Sequence, residues 1–282
     1  MKKIKGLIRL LRFELPFSAG VCVVMGQLLA LGKFTSLVVT VFGFASVFFI
    51  SASILVLNDY FDIETDKVNA PHRPIPSGLV APVDALMFSI ILMFAGLFLS
   101  YMISIATLIC SVVLIIIGFL YNRKLKKSGW PGNVMVSFSV GMTFIYGGIS
   151  VGLPYNKEVI VFALIAALID LGEEIAADAM DMDGDKLINS NSLAIKYGKQ
   201  AALKTSSYIF ILVILLTSVP FILNWFAAIY LVPILIMDTA IVYSLLKLLK
   251  SENDKGRKYI RWIYLGATFG IIVFVMIKFI NG

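Results

Sequence analysis

Charged residues are scarce in this chain: they make up 15% of its 282 residues, against 60% hydrophobic. A soluble domain of this length needs more charge than that to cover its surface. Long apolar runs and a mean hydropathy of +0.95 define a polytopic membrane protein instead. Cysteine is almost missing as well. Cys22 and Cys110 both sit within apolar runs and read as small buried hydrophobes, so no disulfide or metal framework is implied. A cleavable signal peptide is not expected either. Residues 1–12 (MKKIKGLIRLLR) are basic, but no small-residue cleavage site follows a short apolar core.

The apolar runs predict an all-α fold of nine transmembrane helices around a central cavity, forming one domain over 1–282. The expected spans are 15–32, 36–57, 83–101, 104–121, 132–151, 158–177, 201–221, 225–247 and 260–280, with short breaks marked by Lys33, Ser104 and Asn224. Threading these spans through a bilayer puts 21 of the 24 basic residues on one side, leaving only Lys33, Lys157 and Lys278 on the other. By the positive-inside rule the N-terminus is cytoplasmic and the C-terminus faces out of the cell membrane. The net charge of +7 is therefore a matter of topology, and no nucleic-acid partner is expected. Nothing in the chain calls for an obligate protein partner.

Against this scarcity of charge, acids gather twice. NDYFDIETD (58–66) carries Asp59, Asp62 and Asp66, and DAMDMDGD (178–185) carries Asp178, Asp181 and Asp185 at the same spacing, 119 residues later. Spacings of i, i+3, i+7 place such residues on one helix face. Both clusters fall at cytoplasmic helix ends, with an even number of helices between them, which suggests a parallel internal repeat. Carboxylates beside hydrocarbon are costly and mark function. The bland alternative is a pair of solvated helix ends. Hard divalent cations take oxygen ligands, and Asn58, Asp59, Asp62, Asp66, Glu174, Asp178, Asp181 and Asp185 are the candidate metal ligands. Bound metal would relieve the repulsion within so crowded a set.

Basic residues flank the acids. Lys67 precedes PHRPIPSG (71–78), whose three prolines and glycine predict a rigid loop; Lys67, His72 and Arg73 can face an anion held by the metals. YNRKLKK (121–127) is either a plain positive-inside loop or a source of further anion ligands, Tyr121 with Lys124 or Lys126. Two more features stay open. Gly141, Gly147, Gly148 and Gly152 either open an apolar groove or allow close helix packing. Asp170 and Asp238 lie inside spans, and Asp170 is the better placed for an inner cavity.

NDYFDIETDKVNAPHRPIPSG (58–78) resembles the first signature of the UbiA superfamily of membrane-embedded prenyltransferases, and EEIAADAMDMDGDKLINSNSLAIKYG (173–198) resembles the second, with motif loops at about 58–82 and 173–199. Within that superfamily the chain is most similar to the archaeal enzymes that make the second ether bond of membrane lipids, although the first motif fits chlorophyll synthases nearly as well. It departs from the pattern at Glu173 and Ala177, where relatives often carry Arg and Lys. Glu14 follows Arg12 in place of the usual Asn or Asp, and no role is assigned to it.

The resemblance implies an enzyme that transfers a prenyl group from its diphosphate to a lipophilic acceptor and releases diphosphate, with Mg2+, two ions, as cofactor. The acceptor implied is the free glycerol hydroxyl of geranylgeranylglyceryl phosphate. An aromatic, quinone-precursor or chlorophyllide acceptor is the alternative, and a cation-coupled transporter the alternative from another class. The catalytic residues implied are Asp62, Asp66, Asp178, Asp181, Asp185 and Tyr121. Asn58, Lys67, Arg73, Lys124 and Lys126 are the implied diphosphate ligands. Tyr121 is a candidate to stabilise an allylic cation by its ring or to bind diphosphate by its hydroxyl. No general base is identified.

Overall fold

A computed structural model describes residues 2–187, 189–251 and 253–281; Ile188, within the second motif loop, lies outside them. The described residues form helices: α1 (Lys2–Leu10), α2 (Glu14–Leu31), α3 (Leu37–Phe61), α4 (Ile63–Asn69), α5 (Pro82–Ile103), α6 (Ile105–Leu120), α7 (Trp130–Ser150), α8 (Lys157–Met180), α9 (Met182–Leu187), α10 (Leu193–Tyr197), α11 (Lys199–Thr217), α12 (Val219–Ile222), α13 (Leu231–Leu248) and α14 (Arg257–Asn281).

A helix stands at each of the nine expected positions. Eight of them, among the described residues, are long and apolar enough to cross a membrane. The expected span 158–177 is the exception. Its helix, α8, has 24 residues but carries Asp170, Glu173, Glu174 and Asp178 through its second half. Its neighbours explain how it tolerates them: α8 packs against α7, α11, α14 and α2, so its acids face protein and a cavity rather than lipid.

The expected breaks are built by specific residues. Ser104 alone separates α5 from α6, and its hydroxyl caps the new helix by accepting from Thr107 N–H at 3.1 Å. Asn224 turns the chain with φ 55°. Asn156 starts α8 by accepting from the N–H groups of Glu158 and Val159.

α2 and α7 cross at near-contact distance. A side chain at Gly26 would overlap the Phe144 carbonyl, and one at Gly147 would overlap the Val23 carbonyl. Gly141 meets the Ala163 carbonyl in the same way and Gly148 meets that of Leu153, while Gly152 (φ 78°) ends α7. These glycines serve packing and a turn, and open no groove. Nearby, the fully buried Tyr146 hydroxyl bonds Ser46 at 2.7 Å and Ser100 at 3.0 Å, tying α7 to α3 and α5. Asp238, in α13, accepts from Thr217 at 3.1 Å and does not line the cavity.

Candidate active site

The two acidic motifs fold alike. α3 stops at Asp62 (φ −91°, ψ 9°) and restarts as α4; α8 stops at Asp181 (φ −106°, ψ 9°) and restarts as α9. At both breaks the ladder continues. Asp62 N–H bonds Asn58 C=O and Asp66 N–H bonds Asp62 C=O; Asp181 N–H bonds Ala177 C=O and Asp185 N–H bonds Asp181 C=O. The equal spacing in sequence is therefore an equal backbone path, a helix with one bent joint at the middle aspartate. The two copies meet through α4 and α9. Asn69 accepts from Gly184 N–H at 3.0 Å and donates to the Asp181 carbonyl at 3.4 Å.

Between the motifs lies a cavity of about 590 Å3. Asp66, Asp170, Glu173, Glu174, Asp178, Asp181 and Asp185 line its polar end, with Asn58, Tyr121 and the cations Arg12, Arg73, Lys126, Arg257 and Arg261. Its other end is apolar, walled by Met25, Ile50, Leu114, Phe144, Phe162, Ile165 and Phe274. Phe162 and Phe274 stack edge to face and pack against Phe226, which closes the far end. Roughly 24 Å of helix separates Phe162 from Asp178 along α8.

Each aspartate is held. Arg73 reaches both oxygens of Asp66 at 2.6 Å and one oxygen of Asp59 at 3.4 Å. Burial alone would lower the Arg73 guanidinium, but Asp59 and Asp66 outweigh it and hold the pKa above its usual value. Asp59 also pairs with Arg12, and Asp62 pairs with Lys126. Asp181 pairs with Arg257, Asp178 accepts from Asn133 at 2.9 Å, and Glu174 accepts from the Tyr121 hydroxyl at 3.0 Å. Burial raises the Asp181 carboxyl even against the pull of Arg257. Burial, then repulsion from Asp181, pushes Asp185 up to about 6. Asp170, one turn below Glu174, accepts from Ser137 at 2.9 Å and lines the inner cavity as expected.

Among the described residues no three carboxylates converge into a ready-made metal cage. The donor set nevertheless suits a hard divalent ion. It is all oxygen, it lies on both sides of one chamber, and acids outnumber cations along the wall. Glu173 makes the surplus concrete, since one of its carboxylate oxygens is buried without a hydrogen-bond partner.

The structure moves three expected anion ligands away from the chamber. Lys67 points out along α4 to an exposed pair with Glu64 at 2.7 Å, because i, i+3 on so short a helix keeps both on its solvent face. His72 is exposed, and its carbonyl accepts from Arg9. Lys124 lines a smaller pocket beside the chamber, with Asp62, Arg123, Lys126 and Lys127. Lys126 reaches the chamber because the chain widens after α6: its N–H bonds the Tyr121 carbonyl five residues back, which brings Tyr121 and Lys126 to one side. Asp59 and Asp62 sit behind the chamber wall on their cationic partners, and Asn58 lines it while donating to Asn122.

Sequence reasoning missed Arg12, Arg257 and Asn133. Arg12 and Arg257 looked like parts of the cytoplasmic positive charge. A separate structural feature of Arg12 is its backbone φ of 45°, a conformation costing a non-glycine residue about 1–3 kcal/mol. Burial and the neighbouring Arg73 lower its guanidinium more than Asp59 raises it.

An all-α membrane bundle with an acidic chamber opening into a lipid-sized apolar pocket defines an enzyme that handles a molecule both strongly anionic and strongly apolar. Residues 19–276 match the UbiA prenyltransferase family, and the chain belongs to it. It is 33% identical, over 278 residues, to the digeranylgeranylglyceryl phosphate synthase of Methanocaldococcus jannaschii, covering 98% of this chain and 97% of that one. The fold is similar to the apo structure of a UbiA homologue from Aeropyrum pernix K1, with a TM-score of 0.82 at 15% identity over 95% of this chain and 98% of the other. It is also similar to a UbiA homologue from Archaeoglobus fulgidus bound to DMAPP and Mg2+, with a TM-score of 0.65 at 17% identity over 95% and 99%. The chain is thus a multi-pass membrane prenyltransferase.

Proposed function

We propose that this prenyltransferase moves a geranylgeranyl group from its diphosphate to the free hydroxyl of geranylgeranylglyceryl phosphate, forming the second ether bond of an archaeal membrane lipid. The observation that carries the reading is the single chamber. Both acidic motifs reach it at one end, the first through Asp66 and the second through Asp178, Asp181 and Asp185, and an aromatic-closed apolar pocket extends from the other. A prenyl diphosphate has the same division, charge at one end and hydrocarbon at the other. The full-length likeness to the Methanocaldococcus jannaschii synthase supports the choice of acceptor.

Asp62, Asp66, Asp178, Asp181 and Asp185, with Asn58, Asp59 and Glu174 beside them, are the residues that would hold two Mg2+. When bound, these ions neutralise the diphosphate and favour its departure. Arg73 and Lys126 would exchange part of their carboxylate pairing for diphosphate oxygens. The Tyr121 ring, which lines the chamber with its hydroxyl anchored on Glu174, would stabilise positive charge at the carbon from which diphosphate leaves. The apolar pocket excludes water, so the acceptor hydroxyl is favoured over hydrolysis. The excess of basic residues in the loops on one side supports a cytoplasmic chamber mouth and N-terminus, with the C-terminus outside.

The test is product identification. Purified protein receives labelled geranylgeranyl diphosphate, Mg2+ and an acceptor panel of geranylgeranylglyceryl phosphate, aromatic acids, quinone precursors and tetrapyrroles. The expected product has the mass of the phosphate carrying two geranylgeranyl ethers. A product formed only with a ring acceptor would replace this reading.

A further inference from the structure

α14 carries a polar face of which the acidic motifs engage only Arg257. Arg257, Arg261 and Tyr264 follow one another at spacings of four and three residues, so they share one side of the helix, and all three line the chamber. Arg257 is held by Asp181. Arg261 is held by Glu14 of α2, with Nε 2.9 Å from one carboxylate oxygen and Nη2 on the other; the Tyr264 hydroxyl donates to the same carboxylate at 3.0 Å. Three donors thus converge on one oxyanion.

The Glu14 carboxylate is a replaceable occupant. Its side chain is 40% exposed and that of Arg261 is 56% exposed, and an ion pair so open to water is weak. A phosphate offers three oxygens to the same fork of donors and more charge, which is the match guanidinium groups make best. Arg257, four residues earlier on the same face, adds a second guanidinium once Asp181 takes another partner. The cations of the chamber then fall into two sets: Arg73 and Lys126 beside the first motif, Arg257 and Arg261 on α14.

We infer that the Arg257–Arg261–Tyr264 face of α14 binds the phosphomonoester of the acceptor lipid, displacing Glu14 from Arg261. The inference rests on the reaction proposed above, which places two anionic head groups, a diphosphate and a phosphate, in one chamber. It gives each head group its own pair of cations, and it makes the acceptor phosphate, as well as its hydroxyl, a feature that the enzyme reads.

The experiment uses the full chain in lipid nanodiscs with Mg2+ and labelled geranylgeranyl diphosphate. It compares geranylgeranylglyceryl phosphate with geranylgeranylglycerol, its unphosphorylated counterpart. Arg261→Gln is expected to raise KM for the phosphorylated acceptor about tenfold, with a change of less than about twofold in KM for the diphosphate substrate. Arg261→Lys keeps the charge without the fork and falls between. Glu14→Gln removes the competing carboxylate and lowers KM for the phosphorylated acceptor; this variant carries the test if Arg261→Gln does not fold. An unchanged acceptor KM in folded Arg261→Gln overturns the inference, as does a rise confined to the diphosphate substrate. A wild-type enzyme that uses both acceptors equally well overturns phosphate recognition but leaves the prenyl transfer standing. One that uses neither overturns the proposed reaction and this inference together.

Discussion

Asn69 and Gly184 join the two acidic motifs: the Asn69 side chain accepts from Gly184 N–H at 3.0 Å and donates to the Asp181 carbonyl at 3.4 Å. A side chain at position 184 would overlap the Asn69 amide. The first motif thus ends on a residue that sets the position of the second, and the glycine between Asp183 and Asp185 is there to admit it. Gly184→Ala is expected to push Asn69 off both partners and cut prenyl transfer at least tenfold. Asn69→Ala is expected to lower stability by about 1–3 kcal/mol, the cost of leaving Gly184 N–H unpaired. Thermal melting and turnover, measured on both variants, check this; full activity in Gly184→Ala would show that the motifs do not depend on this join.

Asp62→Asn and Asp181→Asn change the joint residue of each motif and keep its shape. Both are expected to reduce diphosphate release at least a hundredfold, and EDTA is expected to abolish it in the wild type, with Mg2+ restoring it. Release of labelled diphosphate in detergent is the measurement. Equal loss from either joint is the outcome a shared site requires, and retention of full release in both variants would remove the metal site.

Arg73→Lys keeps a positive charge but loses the planar guanidinium, whose Nη1 meets both oxygens of Asp66 and one of Asp59 and whose other nitrogens remain for diphosphate. A drop of about 10- to 100-fold in kcat/KM for the prenyl diphosphate is expected. Lys67→Ala, by contrast, removes only an exposed pair with Glu64 and is expected to change kcat/KM by less than about twofold and stability by less than about 1 kcal/mol. Running the two side by side tests the division between chamber and surface cations.

Phe162 and Phe274 close the apolar end of the chamber. Phe162→Ala opens the floor and is expected to shift the preferred prenyl diphosphate toward longer chains, at a stability cost of about 3–5 kcal/mol. Competition between C15, C20 and C25 diphosphates reads the shift; an unchanged preference would place the chain-length limit elsewhere.

Tyr146→Phe serves as the control away from the chemistry. It leaves the Ser46 and Ser100 hydroxyls short of a partner in the bundle interior. A loss of about 1 kcal/mol in stability is expected, with turnover unchanged when measured well below the melting temperature.

The helices were legible because a hydrocarbon environment enforces long apolar runs, and breaks such as those at Ser104 and Asn224 carry their own turn chemistry. Asp62 and Asp181 were legible for the same reason, since acids stand out where charge is scarce. Position along the chain said less about the cations. Lys67 and Arg73 flank the same motif; a short helix aims one at solvent, while consecutive turns through the proline loop bring the other onto Asp66. Lys124 and Lys126 are two residues apart and share the smaller pocket, but after the widened turn at Tyr121 only Lys126 also lines the chamber. Arg12 and Arg257 were hidden in the cytoplasmic positive charge, because a cation that serves topology and a cation that pairs with a buried acid look the same in one dimension.

By itself, then, the sequence determined the membrane bundle, the two matching acidic clusters and the chemistry those acids favour, because burial near lipid restricts composition locally and leaves a local record. Tertiary structure alone decided which cations meet which acids, how Asn69 binds one motif to the other, and that α14 lends Arg257 and Arg261 to a chamber formed far away in the chain. Those pairings depend on distances between helices that no local pattern encodes.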